Sequence, residues 1–274
     1  MHVSLLVRAL HKGGNEPAEY EDAAWPAAGM TRRARGFRCA VADGATETSF
    51  SGEWARLLVR SWCRGESEAR WFRRTLPQLR DTWSEQVGKR PLPWYAEEKR
   101  RRGAFAAFVG LHLACREGQS GWWMATAIGD SCLFQVRRHE LLTAFPLTRP
   151  EDFTNRPHLL STHVPPNGTD AHSFTALRNG GLLGAASEGA ASLTRIEGGW
   201  TSGDRFYLMT DALGQWFLTC HLQGSQPERF LSPLLAGSNE HEFEAFVMAA
   251  REAGELRNDD VTLCALLVKG SHEP

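Results

Sequence analysis

Gly36-Phe37-Arg38-Cys39-Ala40-Val41-Ala42-Asp43-Gly44 is an apolar run that ends on a carboxylate and a glycine. It reads as a strand that delivers Asp43 to its tip, and Gly44 lets a backbone carbonyl there approach a cation closely. Downstream, Ser51-Gly52-Glu53 starts a helix with Trp54, Leu57, Leu58 and Trp62 at helical spacing. A second helical pattern places Phe72, Leu76, Leu79 and Trp83 on one face, with Pro77 as an expected kink. These tryptophans read as core residues. Upstream, Val3 to Ala9 is an early strand.

Beyond Gly103 the pattern turns strand-like. Ala107, Val109, Leu111 and Leu113 alternate, and Trp122–Ile128 and Leu133–Val136 flank Gly129-Asp130-Ser131, read as a hairpin connection. Arg205 to Met209 is another buried strand ending at Thr210-Asp211. Glu242 to Ala253 is helical, and Val261 to Val268 is a final apolar strand. Antiparallel strands with helices grouped between them predict an α+β fold. No repeat or low-complexity linker divides the 274 residues, so one domain over 1–274 is expected, with a helical insert at about 64–102 and a long loop at about 146–172.

Bulk composition excludes several classes. Lys plus Arg (31) balance Asp plus Glu (32), so no global field draws the chain to nucleic acid or to an anionic membrane. Lys99-Arg100-Arg101-Arg102 reads as a solvated helix face rather than a binding patch. None of the six cysteines forms a Cys-x-x-Cys pair, and none opens a glycine-rich anion loop, which argues against zinc ribbons, thioredoxin chemistry and a cysteine phosphatase. No Gly-x-Ser-x-Gly elbow occurs. The opening Met1-His2-Val3-Ser4-Leu5-Leu6-Val7-Arg8 lacks the basic leader and long apolar core of a signal peptide, so a cytoplasmic protein is expected.

Four acidic sites lie at the edges of apolar strands: Glu21-Asp22, Asp43-Gly44, Asp211 and Asp259-Asp260. Any one alone could merely cap a turn. Together they need an offset, because two unit charges 4 Å apart cost roughly 4 kcal/mol at an effective dielectric of about 20. Oxygen-only ligands without His or Cys select hard ions such as Mg²⁺ or Mn²⁺. Paired ions of that kind clamp a phosphoryl group and lower the pKa of a bound water.

The ordered set Glu21-Asp22-Ala23, Val41-Ala42-Asp43-Gly44, Ala127-Ile128-Gly129-Asp130-Ser131, Leu208-Met209-Thr210-Asp211 and Asp259-Asp260-Val261-Thr262 resembles the metal-dependent serine/threonine protein phosphatases of type 2C, and Asp43-Gly44-Ala45 is similar to their bacterial branch. The resemblance runs from about residue 2 to residue 268. It implies a four-layer αββα sandwich of two antiparallel sheets flanked by helices. It also implies two Mg²⁺ or Mn²⁺ ions, with Asp43 bridging both, Asp211 and Asp259 on the first, and Glu21 and the Gly44 carbonyl on the second. Asp130 joins the metal-ligand candidates, Asp22 would orient the hydrolytic water, and that water would attack phosphorus directly. The implied substrates are phosphoserine and phosphothreonine in proteins, among them the targets of a partner serine/threonine kinase, in cytoplasmic signalling.

The chain departs from the family pattern at several positions. Pro17 stands where a phosphate-gripping Arg is usual, which makes Lys12 (or His11), followed by Gly13-Gly14, the candidate phosphate anchor. Ala45 replaces a frequent His, Ala212 follows Asp211 in place of Gly, and Cys132 stands where an Arg is frequent. Gln215 takes the place of a further acidic ligand, so a third ion is not expected. These departures support an alternative reading, a catalytically weak pseudophosphatase acting as a binding or regulatory module. A small-metabolite phosphohydrolase is a further alternative, its selectivity residing in 64–102 and 146–172.

Overall fold

The computed structural model describes residues 1–45, 50–89, 91, 94–116, 120–154, 157–163, 175–178, 181–182, 193–236 and 240–270. Its strands are β1 (His2–Leu10), β2 (Ala23–Trp25), β3 (Met30–Arg33), β4 (Gly36–Gly44), β5 (Phe105–Cys115), β6 (Ser120–Ile128) and β7 (Cys132–Arg137). They continue with β8 (Glu140–Phe145), β9 (Leu160–Ser161), β10 (Thr175–Arg178), β11 (Gly181–Leu182), β12 (Thr194–Thr201), β13 (Arg205–Met209) and β14 (Val261–Lys269). The helices are α1 (Ser51–Trp62), α2 (Glu68–Arg70), α3 (Leu76–Gly88), α4 (Trp94–Arg102), α5 (Asp211–Leu222), α6 (Pro227–Ala236) and α7 (Glu240–Glu252).

One sheet runs β3-β1-β14-β13-β7-β8 and the other β11-β10-β12-β6-β5-β4-β2, with β9 added beside β5. Among the described residues the strand pairings are antiparallel except β10 with β12. Three apolar layers hold the sandwich together. Cys39 and Val41 of β4 and Phe206 and Leu208 of β13 meet between the sheets. Ala40 and Ala42 point the other way, toward Trp54 and Trp62 of α1. Tyr207 and Met209 turn outward onto Leu213, Trp216 and Phe217 of α5. Successive strand side chains face opposite layers, and both layers are dry, so these strands are nearly continuous apolar runs. This is the expected αββα architecture.

The insert is helical as read. Phe72, Leu76, Leu79 and Trp83 are all buried. Pro77 lies inside a helical run that continues unbroken from α2 into α3, directly after a π-helical turn at Trp71–Thr75, the local irregularity that a helix-interior proline brings. The stretch read as a long loop contains a single turn at Pro150–Asp152 and strand β9; its residues 155–156 and 164–172 lie outside the described ones. One connection was misread. Gly129-Asp130-Ser131 is no hairpin, because β6 and β7 belong to different sheets. Gly129 makes the crossing at φ 86°, with Ala107 Cβ 2.7 Å from where a side chain would begin. The consequence is functional, since the crossing places Asp130 at the mouth between the two sheets.

Candidate metal centre

Alternation along β4 aims Asp43 to the same side as Cys39 and Val41, into the cleft between the sheets at its open end. Asp130 arrives from the β6–β7 crossing. Asp211 arrives from the end of β13, where it opens α5 and its carboxylate accepts the Ala212 N–H. Carboxylate oxygens of Asp43, Asp130 and Asp211 all lie within 4.8 Å of one another. Three strand ends from two sheets thus converge on one point.

Electrostatics register the crowding. Burial, then the Asp22 and Asp211 charges, push Asp43 well above the usual carboxylate range, with Asp130 and Asp259 adding to the effect. Asp130 rises to about 7, through burial first and Asp211 second. Asp211 is raised by burial, which its neighbour Arg257 partly opposes. Clustered carboxylates that hold protons this tightly are short of positive charge.

Asp22 is buried. Its Oδ2 accepts the Thr262 hydroxyl at 2.8 Å, whereas Oδ1 has no partner of hydrogen-bond geometry. Burial and Asp260 raise its pKa well above the usual range, against the pull of the Thr262 and Thr210 hydroxyls. A buried carboxylate oxygen left without a donor implies a group that the fold expects to arrive there. Asp260 is structural: its two oxygens accept the backbone N–H groups of Lys12 and Glu21, each at 2.7 Å. This clamps the segment after β1 and the Glu21-Asp22 pair onto the start of β14.

Glu21 is not part of the tight trio. Its carboxylate accepts the Ser51 hydroxyl at the start of α1. Gly44 is needed where it stands, because a Cβ would lie 2.7 Å from the Glu21 carbonyl oxygen and 2.9 Å from the Ser51 carbonyl carbon. The Glu21 backbone, the start of α1 and the tip of β4 are therefore in close packing. Asp259 is half-buried and raises the pKa of all three clustered aspartates or their partners through its charge, yet its oxygens lie outside the 4.8 Å group. Lys12 is half-buried and tied in through its backbone. Gln215, at the position of a further acidic ligand, donates to the Pro150 carbonyl instead.

Sequence reasoning missed Arg257. Its guanidinium pairs with Asp211 Oδ2, and the Asp211, Asp259 and Asp130 charges outweigh burial to raise its pKa. Two residues before Asp259 it resembles any exposed loop arginine, and nothing in its sequence context marks it. Only the return of the 254–260 turn to the start of α5 brings it into the cluster.

The site fits hard divalent cations on three grounds: the donors are all oxygens, one buried oxygen lacks a partner, and the Gly44 cradle excludes a side chain. Among the described residues no helix is long and apolar enough to cross a membrane. No protein-family model matches the chain, and no curated protein matches it by sequence. Solved structures do match. The serine/threonine phosphatase PstP/Ppp of Mycobacterium tuberculosis is 15% identical, with 98% of this chain and 99% of that chain covered and a TM-score of 0.53. The PstP catalytic domain in complex with two manganese ions gives 15% identity, 97% and 98% coverage and 0.51. The serine/threonine phosphatase Stp1 of Staphylococcus aureus gives 11%, 97% and 95%, and 0.54. At such identities the likeness is one of fold. The chain has the fold of the bacterial type 2C serine/threonine phosphatases, over nearly its whole length.

Proposed function

We propose that this protein is a metal-dependent phosphatase that hydrolyses phosphoserine and phosphothreonine in proteins. The convergence of Asp43, Asp130 and Asp211 within 4.8 Å carries the reading. Asp43, Asp211, Asp259, Asp130, Glu21 and the Gly44 carbonyl would hold two Mg²⁺ or Mn²⁺ ions. Bound there, such ions supply charge neutralisation for a phosphoryl group and a water of lowered pKa. The chain's own contribution is placement. Asp43 sits where four other carboxylates act on it, the best position for sharing charge between two cations. Asp22, with one oxygen pinned by Thr262 and the other free, is suited to orient a water. The apolar layer behind Asp43 excludes bulk solvent from the floor of the site.

A pseudophosphatase that binds without catalysis has one observation in its favour, the Arg257–Asp211 pair, which puts a cation in the cluster without any metal. One guanidinium pairs with Asp211 and acts on Asp259 and Asp130, however, and leaves most of the cluster's charge unmet. Turnover of p-nitrophenyl phosphate and of phosphothreonine peptides is expected with Mn²⁺ or Mg²⁺ and is abolished by chelator. If the purified protein turns over neither with any divalent ion, the binding-module reading replaces this one.

Arg257 also bears on phosphate anchoring. A guanidinium offers a bidentate fork to two phosphate oxygens, whereas Lys12 offers a point charge. Once the carboxylates are neutralised, Arg257 stands beside the cluster as the better grip. Arg257→Ala is expected to raise KM for p-nitrophenyl phosphate about tenfold with a smaller change in kcat, the mark of lost ground-state binding. Lys12→Ala is expected to raise it a fewfold. The reverse order in steady-state kinetics would assign the anchor to Lys12.

A further inference from the structure

Both oxygens of Asp211 are already engaged. Oδ1 accepts the Ala212 N–H, and Oδ2 accepts the Arg257 guanidinium. Asp211 is also one of the three aspartates whose oxygens converge within 4.8 Å. A divalent cation arriving there meets a carboxylate that already has a positive partner. The other charged neighbours of that guanidinium are Asp259 and Asp130, so it belongs to the cluster rather than to the general surface. A guanidinium and a divalent cation on one carboxylate repel each other twice as strongly as two unit charges at the same separation.

Of the two donors, only Arg257 can withdraw. The Ala212 N–H belongs to the first turn of α5, and the helix backbone fixes it. The chain on either side of Arg257 is pinned as well. Leu256 is buried in the layer beneath α5 and α7. Asn258 exchanges two hydrogen bonds with Gly13, accepting its N–H at 2.8 Å and donating to its carbonyl at 3.1 Å. The Arg257 side chain, by contrast, is 39% exposed. It also lines a cavity of about 1160 Å³ between α5, α6, α7 and the turn that follows α7. Ala212, next to Asp211, stands on the wall of that cavity, and so does Glu255 with its carboxylate. Release from Asp211 therefore takes a side-chain rotation and no movement of the turn. The guanidinium then has solvent and an acidic wall to turn to, and ion pairs this close to solvent are weak enough to exchange.

We infer that Arg257 is a resident counter-ion of the metal centre: it neutralises Asp211 while no metal is bound, and a divalent cation must displace it before Asp211 can serve as a ligand. This rests on the metal-dependent reading proposed above and concerns how that site takes its ions. Two effects of opposite sign follow. The pair stabilises the metal-free protein and weakens metal binding by the same factor, because one thermodynamic cycle links the two. The same release frees the guanidinium for a phosphate.

Mn²⁺ titration calorimetry tests this on the wild-type protein, on Arg257→Gln, which removes the charge, and on Arg257→Lys, which keeps it. Arg257→Gln is expected to show an apparent Mn²⁺ dissociation constant about fivefold lower than wild type, the upper range for one ion pair near the surface. Arg257→Lys should stay near wild type. Scanning fluorimetry of the same proteins separates a counter-ion from an ordinary fold contact. Without metal, Arg257→Gln should melt below wild type, and saturating Mn²⁺ should close that gap, since the wild-type guanidinium has by then left Asp211. Equal or weaker Mn²⁺ binding by Arg257→Gln overturns the counter-ion, as do melting temperatures lowered alike with and without Mn²⁺. If none of the three proteins binds Mn²⁺, the metal-centre reading fails and the counter-ion fails with it. Mn²⁺ binding by Arg257→Gln alone is the strongest support, because the guanidinium then holds the place of the metal.

Discussion

Asp43→Asn is expected to lower kcat for p-nitrophenyl phosphate by more than about a hundredfold, more than any other single change in the cluster. Partners that merely orient metal ligands are typically worth 10- to 100-fold in affinity or activity, so loss of a ligand shared between two ions should exceed that range. Asp43 is the group on which Asp22, Asp211, Asp130 and Asp259 all act. It is also the group whose backbone runs directly into the Gly44 cradle. The substitution keeps size and hydrogen-bonding capacity and removes only charge. For that reason the metal-free variant should melt at or above the wild-type temperature, since a source of repulsion has gone. Loss of activity together with a clearly lower melting temperature would instead mean that Asp43 serves the fold.

Millimolar Mn²⁺ is expected to raise the melting temperature by roughly 5–10 °C. A ligand at a hundredfold excess over its dissociation constant stabilises the folded state by about 2.7 kcal/mol, and 1 kcal/mol corresponds to about 2–4 °C for a chain of this size. The same experiment has a pH signature. Burial and Asp211 hold Asp130 at about 7, against an ordinary value of 3.8. A carboxyl raised in the folded state contributes stability that is fully present below about pH 4 and is lost as pH rises through about 7. The metal-free protein should therefore melt progressively lower between about pH 5 and pH 8. The Mn²⁺-induced shift should grow over the same interval, because cations bind the deprotonated carboxylates. Asp130→Asn should flatten the metal-free profile. Scanning fluorimetry that finds no Mn²⁺ shift at pH 8 would refute a metal centre at this cluster.

The sequence alone determines the strands that carry the site and most of the acids on them. β4, β5, β13 and β14 are legible because both of their faces are largely covered, which leaves apolar runs flanked by Asp43, by Thr210-Asp211 and by Asp259-Asp260, whereas β1 has Ser4 and Ala9 exposed. The helical insert is legible because Phe72, Leu76, Leu79 and Trp83 repeat at helical spacing against one layer. Oxygen-only donors likewise name the class of cation without coordinates.

Tertiary structure decided the rest, since it depends on which chain ends meet. Whether Gly129-Asp130-Ser131 turns back as a hairpin or crosses between sheets cannot be read from three residues. The crossing follows from β7 pairing with β13 rather than with β6. Glu21 and Asp259 lie at the right strand ends, yet only the packing at Ser51 and the turn before β14 set where their oxygens lie. Arg257 enters the cluster through its pairing with Asp211, a residue far away in sequence. Local spacing specifies which face of an element a residue occupies. What that face meets is set by long-range pairing, and there the charges of this protein find their partners.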